Sequence, residues 1–328
     1  MYIKILNHVA TSVCRETMKQ INTSEWIAQF LASDPPRSKS MVMTVLGDTV
    51  AAHGGGVWLG SLIELVAPLG VTERLVRTSV FRLVQEGWLA ASREGRRSRY
   101  AFEPKSLARF ERANRRIYAH PGLHWDGRWT LVLAPNNSID SALRGALRKE
   151  LEWEGFAMLG PGLMVHPAAD PRALNDVLTR VGGVGKVFAC SADQLSGVAS
   201  RPLPELVQDG WALDKVSAAY GHFIGQFAPL EALLAEDRML TPQQAYAIRT
   251  LLIHAYRRVQ LHDPMLPIEL LPDPWPGTDA FLLAGAIYRL TYAQAELHVM
   301  EVMRREDQAA PAADAAFYAR FGGLQPVQ

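Results

Sequence analysis

The chain of 328 residues predicts an α+β fold. Three observations carry that prediction. A helical pattern over residues 72–85 runs directly into an alternating strand, turn and strand over residues 88–102. Short apolar strands alternate with helical stretches between residues 127 and 190. Beyond residue 202, three long stretches place apolar residues at three-and-four spacing. The length and the 48% hydrophobic content suffice for two or three domains.

Residues 1–37 read as an N-terminal extension, partly disordered, with a short helix over 24–32 ahead of Asp34-Pro35-Pro36. Residues 1–13 lack the dense positive cluster and long apolar run of a secretory signal, so a cytoplasmic protein is expected. Residues 58–69 form an amphipathic helix ending at Pro68-Leu69-Gly70, and a brief turn leads to a second helix opened by Thr72 and Glu73 and closed by Gly87. Turning about 100° per residue from Val76 gathers Val80, Leu83 and Val84 beside it as a buried face. Arg74, Thr78, Arg82 and Gln85 point the opposite way, with Arg77 and Phe81 on one flank. After this helix, residues 88–93 form a strand, Glu94-Gly95-Arg96-Arg97 turns, and residues 98–102 return, which clusters Arg93, Arg96, Arg97, Ser98 and Arg99 on a hairpin.

Two helices joined by a tight turn and followed by a basic hairpin make a winged helix-turn-helix. Guanidinium and amide groups on the outer side of its second helix suit phosphates and base edges. Residues 38–122 are therefore expected to be a DNA-binding domain with its connecting helix. The charge distribution agrees: residues 37–128 hold 15 Lys or Arg against 8 Asp or Glu, whereas residues 129–328 hold 16 against 22. The connecting helix, residues 105–119, repeats Arg109, Arg112, Arg115 and Arg116 on one side, as a solvated linker or as extra phosphate contacts. In residues 123–200 the order is a strand at 129–134, a helix at 141–153, a strand at 157–166, a helix at 170–181 and a strand at 186–190. That order suits a ferredoxin-like module. Residues 201–328 read as a helical C-terminal domain with helices over 212–235, 242–261 and 278–305. Five prolines over 264–276 make an extended strap across its surface.

The stretch from Leu46 to Tyr100 closely resembles the N-terminal domain of the PaaX family of phenylacetate-degradation repressors. The match includes Gly47-Asp48, the run Gly55 to Leu62, Glu73-Arg74, Val76-Arg77-Thr78, Phe81-Arg82-Leu83, Glu86-Gly87-Trp88 and Gly95-Arg96-Arg97-Ser98. Residues 249–272 and the following Asp273-Pro274-Trp275-Pro276-Gly277 are similar to that family's C-terminal domain, so the resemblance spans roughly residues 38–305. It implies a dimeric repressor of a phenylacetate catabolic operon, bound to a palindromic operator in double-stranded DNA and released by an aryl-CoA thioester such as phenylacetyl-CoA. It also implies a central domain resembling CRISPR-associated spacer-acquisition nucleases. The first strand of that domain ends in Ala134-Pro135-Asn136-Asn137, without the acid such a nuclease needs to hold a metal, so a structural or dimerising role is expected. An aryl-CoA ligand requires aromatic surface and phosphate-pairing cations. The matching segment, within the helical domain over 201–328 that is expected to bind the effector and to dimerise, offers Arg249, His254, Tyr256, Arg257, Arg258 and Trp275, and Trp211, Tyr220 and Phe223 add rings. Packing explains the aromatics equally well, and Arg257 and Arg258 stand where Asp263 or Asp237 would pair with them.

No enzyme motif in the sequence is complete. Gly182-Gly183-Val184-Gly185-Lys186 has Arg180 and Val187 where a phosphate loop needs Gly and Ser or Thr, and Gly54-Gly55-Gly56 is a turn before Trp58. Cys14 and Cys190 form no metal or disulfide pattern, so no cofactor and no metal are expected. The alternative is an enzyme that binds or hydrolyses CoA thioesters and carries the basic module as an accessory.

Overall fold

The computed structural model describes residues 22–119, 122, 124–135, 138–195, 197–198, 201–236 and 240–325, the side chains of Ala108 and Arg109 excepted. Cys14, Asn136, Asn137 and Asp237 lie outside the described residues.

Helix α1 (Thr23–Ser33) starts at a capping box in which Asn22 and Glu25 satisfy one another's backbone N–H groups. Its Trp26 and Phe30 stack on each other and meet Phe227 of the C-terminal helices with tilted rings. This part of the extension is anchored, because two aromatic side chains on one helical face gain more by burial than an ordered turn loses in entropy. Helix α2 (Ser38–Val45), which the sequence does not announce, continues through a π-turn (Leu46–Val50) and a 3-10 turn (Ala51–His53) into strand β1 (Gly56–Trp58).

Helix α3 (Leu59–Val66), a 3-10 turn (Ala67–Leu69) and helix α4 (Glu73–Gln85) follow as expected. Val76, Ser79, Val80 and Leu83 of α4 are buried. Gly87 adopts φ +72° while the Trp88 N–H donates to the Leu83 carbonyl at 2.9 Å, which closes the helix. Strands β2 (Leu89–Glu94) and β3 (Arg97–Phe102) form the hairpin, and β3 sits between β2 and β1 in an antiparallel sheet.

Helix α5 (Pro104–Tyr118) leads out of this module. It is a fastener and not a solvated linker: Arg112 pairs with Asp176 at 2.8 Å, and Arg116 donates to the carbonyls of Trp153 at 2.8 Å and Asp263 at 2.6 Å. The central module runs β4 (Arg128–Leu133), α6 (Ser141–Trp153), β5 (Ala157–Gly160), β6 (Leu163–His166), α7 (Pro171–Val181) and β7 (Phe188–Asp193). Its antiparallel sheet is ordered β5-β6-β4-β7. The single strand expected over 157–166 is a hairpin. Pro161 interrupts pairing, and Gly162 takes φ +75° where an added Cβ would lie 2.7 Å from the Ala134 carbonyl oxygen, so the chain reverses there. One core of its own, including Val132, Leu151, Phe156 and Val177, holds this module together.

The C-terminal helices are α8 (Leu203–Gly210), α9 (Leu213–Glu236), α10 (Pro242–Gln260), α11 (Pro276–Glu306) and α12 (Ala315–Tyr318). The proline-rich strap between α10 and α11 does more than cross the surface: Leu266, Leu270 and Trp275 are buried. These helices and the N-terminal module share one continuous hydrophobic core, from Met41, Leu62 and Val76 through Phe227, Ile248 and Ile287. No helix among the described residues is long and apolar enough to cross a membrane.

The central module meets the strap backbone to backbone at Gly155. Its φ is +93°, a Cβ there would lie 2.4 Å from the Pro264 carbonyl oxygen, and its own carbonyl accepts the Trp211 indole N–H at 2.7 Å. Gly155→Ala is expected to lower stability by about 1–3 kcal/mol, read as a fall in Tm, since the added methyl meets both an unfavourable φ and immovable backbone.

Candidate nucleic-acid interface

Helix α4 turns one side to the core and the other to solvent because its apolar residues recur every third and fourth position. On the solvent side Arg74, Thr78, Arg82 and Gln85 are exposed together, and Arg74 and Arg82 make no ion pair among the described residues. Arg77 is exposed too, but its guanidinium is held by Glu73 one turn earlier, at 2.6 Å. Phe81, expected on a flank, is 64% exposed. A ring that large left in water between guanidiniums is an added candidate for apolar contact with a thymine methyl. Its exposure, which periodicity alone does not weigh, is the signal that identifies it.

The hairpin divides into two parts. Arg93 and Arg96, at and before the tip, are exposed and unpaired among the described residues, with Gly95 at φ +60° allowing the tight turn. Arg97, although exposed, turns toward the body: its guanidinium lies 4.5 Å from the Trp58 ring centroid and donates to the Glu306 carbonyl at 3.0 Å. Arg99, half-buried, lies against Gly56 across the β1–β3 pair. Ser98 is half-buried beside them. Thus Arg93 and Arg96 at the tip are available to a partner, whereas Arg97 and Arg99 fix the hairpin's base. Glu306 also accepts the Ser61 N–H at 2.9 Å, so the end of α11 clamps both the hairpin and α3.

What orients this face is a buried polar cluster that the sequence does not announce. Asp48, in the π-turn after α2, is 2% exposed. It forms an ion pair with Arg249 at 3.2 Å and with Arg320 at 3.1 Å, and accepts hydroxyl hydrogen bonds from Tyr118 at 2.6 Å and Tyr288 at 3.0 Å. Arg249 also pairs with Glu296, whose second oxygen lies 2.9 Å from His53. Burial alone would raise the Glu296 carboxyl, but Arg249 and His53 pull it down to about 2. Despite burial, the same carboxylates raise the Arg249 guanidinium above its ordinary value. Two carboxylates and two guanidiniums therefore bind α10, α11 and the chain after α11 to the segment just before β1.

The six side chains expected around an effector do not line one pocket. Arg249 is fully buried in the ion cluster, and Tyr256, equally buried, accepts from Gln260 at 2.6 Å. His254 and Arg258 line a groove of about 1010 Å³ between α1, α2, α9 and α10. Arg257 lines a separate cavity of about 210 Å³ walled by Trp88, Phe110, Tyr118 and Trp153, and donates to the Thr44 hydroxyl at 2.9 Å. Trp275 borders a void of only about 20 Å³ under the strap and meets Tyr220 edge-on. Of the additional rings, only Phe223 reaches the large groove; Trp211 and Tyr220 are packed inside. Arg258 pairs with Asp34, not with Asp263. Asp263 instead accepts from Tyr220 at 2.6 Å.

Comparison with known proteins matches the chain to three family models: PaaX-like protein over residues 37–105, PaaX protein central Cas2-like domain over 122–203, and PaaX-like protein C-terminal domain over 211–301. The chain is 38% identical over 295 residues to Transcriptional repressor PaaX of Escherichia coli (strain K12), covering 90% of this chain and 93% of that one. That relative is a regulator and not an enzyme. A solved structure of an uncharacterised protein from Mycobacterium tuberculosis is similar at 25% identity and a TM-score of 0.48, covering 76% of this chain and 96% of the other. With every module matched in order and well over a third of aligned positions identical, the chain belongs to the PaaX family.

Proposed function

We propose that this protein is a cytoplasmic transcriptional repressor of a phenylacetate, or other aryl-CoA, catabolic operon. The order α2, β1, α3, α4, β2, β3 is read as a winged helix-turn-helix, with α4 in the major groove and the Arg93–Arg96 tip against the backbone. The observation that carries the reading is the exposed side of α4, where Arg74, Thr78, Phe81, Arg82 and Gln85 stand together on a helix whose other side is buried. The central module, read as ferredoxin-like from its strand order, supplies a dimer contact, and two copies of α4 then match a palindromic operator. An aryl-CoA thioester such as phenylacetyl-CoA releases the DNA by favouring a conformation in which the two helices no longer fit the half-site spacing. Membership of a family with a named repressor among its relatives supports this reading.

Gel-shift titration with the protein's own promoter DNA tests it. Arg74→Ala and Arg82→Ala are each expected to weaken specific binding by about 1–3 kcal/mol, the range for one good base contact. Arg96→Ala should weaken all sequences alike and reduce the salt slope by about one. Arg77→Ala belongs in the same series, with a smaller loss if Glu73 holds the guanidinium away from DNA. Unchanged operator affinity in both the Arg74 and Arg82 variants would mean that another surface contacts DNA. Phenylacetyl-CoA added to the complex should lower the bound fraction without itself being consumed; consumption with no change in affinity favours an enzyme.

A further inference from the structure

A groove of about 1010 Å³ lies between the end of α1, the start of α2, and helices α9 and α10. Arg37, Lys215 and Arg258 line it together with the imidazoles of His222, His254 and His262, against Asp34 as its one lining carboxylate. Lys215 and Arg258 are out of keeping with their surroundings, because the chain beyond residue 128 carries more acid than base, and Arg37 faces them from the basic N-terminal module. Its floor is apolar, from Val216, Phe223 and Val259, and the first turn of α2 at Arg37 and Ser40 opens on the same space, adding the positive end of a helix. An apolar floor with a cationic rim fits a ligand that joins an apolar group to phosphates.

The groove also touches the DNA-facing helix through a single intermediate. Helix α2, which contributes Arg37 and Ser40, is tied to α4 by the Lys39–Glu86 ion pair and by the Ser79 hydroxyl donating to Ser38 at 3.3 Å. A ligand that draws Arg37 and the start of α2 toward α9 therefore acts on the element against which α4 packs.

We propose that this groove is the site of a phosphate-bearing ligand and that α2 carries its effect to α4. Taking that ligand to be an aryl-CoA thioester rests on the function proposed above; the cationic site itself does not. Arg37 and Lys215 pair with phosphate oxygens, Arg258 exchanges Asp34 for phosphate, and the apolar floor receives the non-phosphate end.

The test uses the full chain and two readouts, calorimetric titration with phenylacetyl-CoA, coenzyme A and ADP, and release of promoter DNA by the same compounds. Lys215→Ala and Arg37→Ala remove exposed side chains, and the circular dichroism and Tm of each variant report that the fold is kept. Each is expected to weaken phenylacetyl-CoA and coenzyme A about tenfold, and Lys215→Glu more, consistent with losing one charge-assisted contact. Lys39→Ala should leave ligand affinity near the original and blunt DNA release. Release by phenylacetyl-CoA that is equally strong in the Arg37 and Lys215 variants overturns the groove and leaves the repressor reading standing. Wild-type protein that binds ADP through Arg37 and Lys215 but keeps its DNA in the presence of phenylacetyl-CoA overturns the effector reading and leaves the groove standing. No binding of any of the three probes overturns the groove.

Discussion

Arg249→Met is expected to cost about 3–5 kcal/mol, read as a lower urea midpoint. The wild-type guanidinium is fully buried between Asp48 and Glu296, and methionine fills most of its volume while removing the charge that both carboxylates face. What destabilises the variant is two buried carboxylates left with one guanidinium, that of Arg320, since the Tyr118 and Tyr288 hydroxyls on Asp48 supply hydrogen bonds but no full charge. The sign of the pH effect follows. In the wild type the Glu296 carboxyl, held at about 2, contributes stability that is present above the ordinary carboxylate range and lost as pH falls through about 2. With Arg249 gone, burial raises that carboxyl, so the penalty should shrink as the pH is lowered into the range where Glu296 takes up a proton. The double variant Arg249→Met/Glu296→Gln should recover part of the loss, because removing both partners leaves less buried charge than removing one. A single variant within about 1 kcal/mol of wild type at neutral pH would show that the cluster holds nothing together.

Acid should loosen the molecule well before ordinary carboxylates protonate. His254 and His166 are both buried, and burial lowers each imidazole to about 4. For His254, the neighbouring Arg257 and Arg258 add to the effect of burial and Asp34 opposes it. For His166, the Pro264 carbonyl opposes it and Arg116 adds. Both groups have folded values below the unfolded one, so each contributes stability that is complete above about pH 6.5 and is lost as pH falls toward 4. At roughly 1.4 kcal/mol per pH unit, the two together make a loss of several kcal/mol by pH 4. Geometry gives the reason for His166: its Nδ1 accepts the Ala168 N–H at 3.0 Å, and protonation destroys that acceptor. His166→Asn, which keeps an acceptor but no titrating nitrogen, should flatten the stability profile between pH 6.5 and 4. A profile as steep as that of the wild type would assign the acid sensitivity to other groups.

Much of the surface proposed to meet DNA is legible in the sequence. Three-and-four spacing separated Val76, Val80 and Leu83 from Arg74, Thr78 and Arg82, and Gly87 and Gly95 marked a helix end and a hairpin tip, because these signals are local and a few residues contain them whole. The hairpin at Gly162 differs from the single strand expected there: the apolar residues on both sides hide the break, although Gly160-Pro161-Gly162 is a local turn signal, and it is the antiparallel pairing of β5 with β6 that makes two short strands of the stretch. Arg97 and Arg99 read as part of the cationic wing because a charged residue in a turn is ordinarily solvated; the carbonyl of Glu306 and the ring of Trp58 that engage Arg97 come from other parts of the fold.

By itself, then, the order of residues determined the α+β plan, the basic N-terminal module beside acidic helices, the outward side of α4 and the family. Tertiary structure alone decided that Asp48 meets Arg249 and Arg320, that α5 fastens three modules through Arg116, and that Arg37, Lys215 and Arg258 surround one groove. Periodicity acts over a turn of helix and is carried by adjacent side chains. An ion pair between residues 201 or 272 positions apart depends on which surfaces the whole chain removes from water, and that is settled only when the helices pack.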